Sequence, residues 1–158
     1  MRPVASLAGA LVVLGVSSVY AQSMSRFNSP LPLWADSALL QSGFWQRYQL
    51  SSRLNPELAA ADLDGDGLWD VALAVVDRAT RRRGVAIIHQ IDRSVRIVGA
   101  GESVGNAKEV QRWGITPLLG HRSAISVEQW DARGWFVWNG QSYVWLPAAA
   151  SRSRLTGG

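Results

Sequence analysis

The stretch "AADLDGDGLWDVALAVV", residues 60–76, packs four aspartates and two glycines into nine positions and runs directly into an apolar segment. Like charges this close repel one another. Something must therefore hold Asp62, Asp64, Asp66 and Asp70 together at the mouth of that segment. "VALAVV" is short, continuous and rich in β-branched residues, with turn chemistry on both sides. That pattern predicts a strand buried on both faces.

Working outward, the same signals recur. "WQRYQL" (45–50), "GVAIIHQI" (84–91), "SVRIVGA" (94–100), "AISVEQW" (124–130), "GWFVW" (134–138) and "QSYVW" (141–145) all read as strands separated by turn residues. "DSALLQ" (36–41) predicts a short helix capped by Asp36, and "NAKEVQRW" (106–113) one or two helical turns. Residues 22–35 carry prolines and no usable period, so an extended arm is expected there. The tail 148–158 lacks apolar periodicity and is expected to be disordered. The expected fold is mainly β, a single domain over 36–147 built as an antiparallel meander with minor helix.

Counted from Asp62, carboxylates fall at the first, third, fifth and ninth positions of the loop, and Leu68 at the seventh can offer its backbone carbonyl. Alternation throws these oxygens towards one centre, and Gly65 and Gly67 let the backbone wrap around it. Calcium takes six to eight oxygen ligands in flexible geometry, whereas magnesium demands a strict octahedron and zinc wants His or Cys. The pattern predicts a Ca2+ site made by Asp62, Asp64, Asp66, Leu68 and Asp70. The competing reading is a polar turn held by side-chain to backbone hydrogen bonds, which four repelling carboxylates fit poorly. An EF-hand needs a Glu at the twelfth position and a helix on each side; Leu73 and a strand stand there instead.

The loop "DLDGDGLWD" followed by "VALAVV" resembles the FG-GAP or VCBS-type repeat, in which a D-x-D-G-D-G-x-x-D loop leads into a hydrophobic strand. The resemblance spans roughly residues 57–99. It implies structural calcium on the aspartates and the Leu68 carbonyl, and a propeller-blade-like arrangement of strands. Such repeats usually come several to a chain and close a propeller of four to eight blades. This sequence holds one such loop, so a closed propeller is not expected.

The chain opens "MRPVASLAGALVVLGVSSVYAQS": one arginine, an apolar stretch broken by small residues, then small side chains at Val19 and Ala21 where a signal peptidase reads. The stretch is shorter and less apolar than the ~20 residues of a membrane span. Cleavage after Ala21 is expected, leaving 137 of the 158 residues. The protein is then periplasmic or extracellular, touching the membrane only through its export signal. It has no cysteine, so an exported form gains no disulfides and must rely on packing or a bound ion. Its net charge of +4 suits solubility, and equally a protein or glycan partner in the cell envelope. No nucleic-acid partner is indicated.

"GWFVWNGQSYVW" (134–145) is the second informative stretch. Asn139-Gly140 predicts a type I′ hairpin, pairing Trp138 with Gln141 and Phe136 with Tyr143. Phe136, Trp138, Tyr143 and Trp145 then share one face, and Trp135, Val137 and Val144 the other. The first face is either core or an aromatic platform for sugar rings. That second possibility makes a carbohydrate or cell-wall binding protein the alternative function.

Catalytic signals are weak. "RATRRRG" (78–84) reads as a solvated turn, with anion binding as the sharper alternative. "GAGESVG" (99–105) has Val104 where a dinucleotide fingerprint needs its third glycine. His89 and His121 lack partners at ligand spacing and read as structural or surface residues. No nucleophile elbow occurs outside the export signal. A hydrolase would have to draw its acids from Glu57, Glu102, Glu109 and Glu128, so the chain is expected not to be an enzyme. The sequence reading is an exported, non-catalytic calcium-binding module.

Overall fold

The computed structural model describes residues 31–102 and 109–148. The expected signal peptide (1–21), the arm as far as residue 30, residues 103–108 and the tail from 149 lie outside the described residues. In chain order the elements are α1 (Leu33–Gln41), α2 (Phe44–Arg47), β1 (Tyr48–Leu50), β2 (Leu58–Ala61), β3 (Asp70–Asp77), β4 (Arg83–Ile88) and β5 (Val95–Gly99). They continue with β6 (Arg112–Pro117), a 3-10 turn (Leu119–His121), β7 (Ser123–Glu128), β8 (Arg133–Trp138) and β9 (Tyr143–Pro147). Among the described residues the protein is mainly β, with two antiparallel sheets and no closed propeller.

In the first sheet β3 is flanked by β4 and then β5 on one edge. Its other edge is shared end to end: β2 pairs with residues 70–73 and β1 with residues 75–77. All eight residues of β3 are buried, as its unbroken apolar run predicts. Ala72 and Ala74 point into a core shared with the second sheet, the meander β6–β9, whose Ile125, Val127 and Phe136 meet them there. Alternation sends Val71, Leu73 and Val75 to the opposite face. Helix α1, with Ala35, Ala38 and Leu39 buried, lies against β4.

Four local expectations are corrected. The helix opens at Leu33, after Pro32 at the cap position, and Asp36 sits in its first turn. Half of "WQRYQL" is helical, because Gly43 takes a left-handed φ of 69° and starts a turn. In that turn Phe44 and Tyr48, four residues apart, stack their rings 5.2 Å from centre to centre, a spacing that a helical turn produces and a strand does not. Of 106–113, the described part is non-helical, and Arg112–Trp113 begins β6. The hairpin register also moves by two: Trp138 faces Tyr143 and Phe136 faces Trp145.

The turn explains that shift. A type I′ turn needs positive φ at both central residues, and of Asn139 and Gly140 only Gly140 has one, at 99°. Asn139 instead accepts the backbone N–H groups of Gln141 and Ser142 on its side-chain oxygen, both at 2.9 Å. This centres the turn on Gly140 and Gln141. A shift of two keeps every side chain on its face, so Phe136, Trp138, Tyr143 and Trp145 still lie together.

Candidate metal centre

The aspartate loop joins β2 to β3. Its first residue, Asp62, ends the β2 side and its last, Asp70, opens β3. Each carboxylate folds the loop around itself. Asp62 accepts the N–H of Gly65 at 2.6 Å and of Gly67 at 3.0 Å. Asp64 accepts from Asp66 at 3.1 Å, and Asp66 from Leu68 at 2.7 Å. Asp70, fully buried, accepts three: Leu63 and Asp64 on one oxygen, Gln90 on the other. Positive φ at Gly65 (87°) and Gly67 (88°) makes the tight winding possible.

Within this frame the carboxylates converge. One oxygen each from Asp62, Asp64 and Asp66 lies within 4.8 Å of the others. A second group, Asp64, Asp70 and His89, meets the same limit. These two acidic groups, sharing Asp64, can hold a metal ion. Burial pushes the Asp64 carboxyl above the ordinary carboxylate range, with repulsion from Asp66 and Asp62 adding to it against the pull of the Asp66 N–H and His89. Burial likewise pushes up Asp70, more than its N–H donors at Gln90 and Leu63 pull it down. A cation between these oxygens would relieve both burdens.

The donor set suits a hard cation. Hydrogen bonds from the backbone engage one oxygen of Asp64 and one of Asp66, leaving the second oxygen of each for coordination. Each oxygen of Asp62, and the Asp70 oxygen that accepts from Gln90, keeps one further lone pair, while the other Asp70 oxygen already accepts two N–H groups. Leu68, the fifth residue expected from the sequence, is exposed at the rim of the loop.

His89 is the residue that the sequence reading did not assign to the loop. It is almost wholly buried, with Nδ1 3.6 Å from Asp64 and 3.3 Å from the Ser94 hydroxyl. Its Nε2 is hydrogen-bonded to the Tyr143 hydroxyl at 2.9 Å, and Trp138 meets its ring edge-on at 4.8 Å. The β3–β4 pairing, Val71 with Ile88, puts residue 89 opposite residue 70. A hairpin register drawn through the arginine-rich turn would have found it; spacing along the chain could not.

The loop and the aromatic hairpin are thus neighbours. Phe136 and Tyr143 are buried, and Trp138 and Trp145 are partly buried against the core. Burial and the nearby Asp70 and Asp64 charges push the Tyr143 hydroxyl far up, so it stays protonated beneath the loop. The loop is also tied to the second sheet: Ser123 donates its N–H to the Asp62 carbonyl at 2.7 Å. The Arg122 side chain crosses Gly65 so closely that a Cβ there would come within 2.6 Å of Nε, and it donates to the Trp138 carbonyl at 2.6 Å.

Three of the four glutamates from which a hydrolase would draw its acids are paired elsewhere. Glu102 pairs with Arg47 at 2.7 Å, Glu109 with Arg83 at 3.1 Å, and Glu128 with Arg133 at 3.3 Å, while Glu57 is exposed. Among the described residues no helix is long and apolar enough to cross a membrane. Comparison with protein-family models, curated proteins and solved structures found no match to this chain.

Proposed function

We propose that this chain is an exported, non-catalytic calcium-binding module of the cell envelope or exterior, whose ion stabilises the fold rather than reacting. Asp62, Asp64, Asp66 and Asp70 supply carboxylate oxygens and Leu68 its carbonyl. The observation that carries this reading is the convergence of the Asp62, Asp64 and Asp66 oxygens in a loop whose backbone is already wound around them. The Asp62, Asp64 and Asp66 group offers oxygen alone with mutual repulsion, which favours calcium over zinc, and a loop able to supply more than six oxygens favours it over magnesium. His89 then acts behind the ligands, fixing Asp64 from the side of the Tyr143 hydroxyl.

The loop meets the β6–β7 connection through the Ser123 N–H on the Asp62 carbonyl, so an ion that firms the loop would support that contact between the sheets in a chain without cysteine. Isothermal titration of the EDTA-stripped protein tests this directly. Calcium should bind with one-to-one stoichiometry and a dissociation constant of about 10⁻⁵–10⁻⁴ M, with magnesium at least about tenfold weaker. No heat of binding for calcium at about 1 mM would refute it.

A further inference from the structure

The outward face of the second sheet carries a feature that the calcium reading leaves unused. Across β6, β7 and β8, Arg112, Glu128 and Arg133 stand side by side in register. Glu128 lies 3.3 Å from Arg133 and 3.8 Å from Arg112, and both arginines are largely exposed. Two hollows open on either side of this row. One, about 300 Å³, runs beside Trp135 and Ser126. The other, about 520 Å³, runs under Trp130 at the β7–β8 turn, between Gln111 and Gln129. Both share Arg112, Glu128 and Arg133 as a common wall.

Among the described residues, two side-chain amides along this trough, those of Gln111 and Gln129, have N–H donors without an acceptor. A donor kept from water without an acceptor is unfavourable, and such groups on a concave surface are met by whatever binds there. Trp130, by contrast, is 81 % exposed among the described residues, a large apolar plane turned to solvent.

From these features we infer that the trough between Trp130 and Trp135 is a binding site for a neutral saccharide chain. Its charges cancel, Arg112 and Arg133 against Glu128 and Asp131, so it offers a polyanion no net attraction although the whole chain is basic. Sugar hydroxyls donate and accept at once, and so can satisfy the stranded N–H groups and the Glu128 carboxylate together. The C–H faces of the rings match the indole planes, which combine apolar area with a fixed orientation. An apolar peptide would strip water from the Arg–Glu–Arg row without offering new polar contacts, which is unfavourable. This site is separate from the aromatic face of Phe136, Trp138, Tyr143 and Trp145, which packs on the core, and from the aspartate loop.

The test is calorimetric titration of the full chain with cellohexaose, chitohexaose, xylohexaose and mannohexaose, each in calcium and in EDTA and at low and high salt, with heparin as the anionic control. At least one neutral oligosaccharide should bind more tightly than about 1 mM, in calcium and in EDTA alike. Its affinity should not fall with salt, because no net charge is exchanged. Trp130→Ala and Trp135→Ala should each weaken it about tenfold with calcium binding retained. Trp130 is exposed at a turn, so its variant folds even where that of Trp135 does not, and Gln129→Ala gives a second measure on the same wall. Failure of all four sugars to bind at about 10 mM, unchanged affinity in Trp130→Ala, or salt-sensitive binding of heparin alone would overturn the assignment. Sugar binding without calcium binding would leave this site standing and remove the calcium reading.

Discussion

Asp64 and Asp70 should respond in opposite ways when removed, and the contrast separates an ion site from a merely hydrogen-bonded turn. Asp64 accepts a single N–H, from exposed Asp66, and in the metal-free loop its charge is opposed by burial and by its neighbours. Asp64→Ala therefore loses one hydrogen bond of about 0.5–1.5 kcal/mol while relieving that repulsion, so in EDTA it should melt near the parent. Asp70 accepts three N–H groups, that of Leu63 buried and those of Asp64 and Gln90 half-buried. Stranding the buried Leu63 N–H alone is unfavourable by about 1–3 kcal/mol, so Asp70→Ala should lose stability in either buffer even though it also removes a charge that burial opposes. For the parent, a dissociation constant of about 10⁻⁵–10⁻⁴ M makes 1 mM calcium worth about 1.4–2.7 kcal/mol. For a domain of this length each kcal/mol moves the midpoint about 3–5 °C, so calcium should raise it by about 4–13 °C. Differential scanning calorimetry of the three proteins in calcium and in EDTA reads all of this. Asp64→Ala should lose most of the calcium-induced rise. Identical parent midpoints in calcium and EDTA, or an Asp64→Ala protein that keeps the full rise, would refute the ion site.

Two further outcomes rest on the packing. The backbone N–H of Thr80, with Arg47 beside it, outweighs burial and holds the Asp77 carboxyl below the usual carboxylate range. Its stabilisation is therefore complete above the unfolded value near pH 3.9 and lost as pH falls through the lower folded value. Asp77→Asn should cost about 1.5–3 kcal/mol at pH 7 and progressively less on acidification; equal losses in urea unfolding at pH 7 and about pH 2 would contradict it. At the hairpin, Phe136→Ala should cost about 3–5 kcal/mol, and Trp138→Ala should destabilise the protein with or without calcium. A Trp138→Ala protein as stable as its parent would show that this face does not carry the core.

The features legible in the chain alone are local ones. Aspartates at alternating positions with glycines between them dictate a loop wound around its own carboxylates, because the side chain, the N–H it captures and the glycine φ all lie within a few residues. The unbroken run after Asp70 dictates a strand buried on both sides, and the alternation in 134–145 decides which aromatics share a face even after the register moves by two. Elements held only by partners were not legible. "LAAA" of β2 has little strand preference of its own and is extended because β3 offers it an edge. "RWGITP" of β6 carries a glycine and a proline, which an edge strand tolerates and pairing with β7 makes regular. His89 joined the aspartates only through the β3–β4 register, and the tryptophan-walled trough exists only because three strands align Arg112, Glu128 and Arg133 across the sheet. Chain-local chemistry is written residue by residue, but a site assembled across strands depends on a register that hydrophobic burial sets over the whole sheet, and only the folded chain fixes that register.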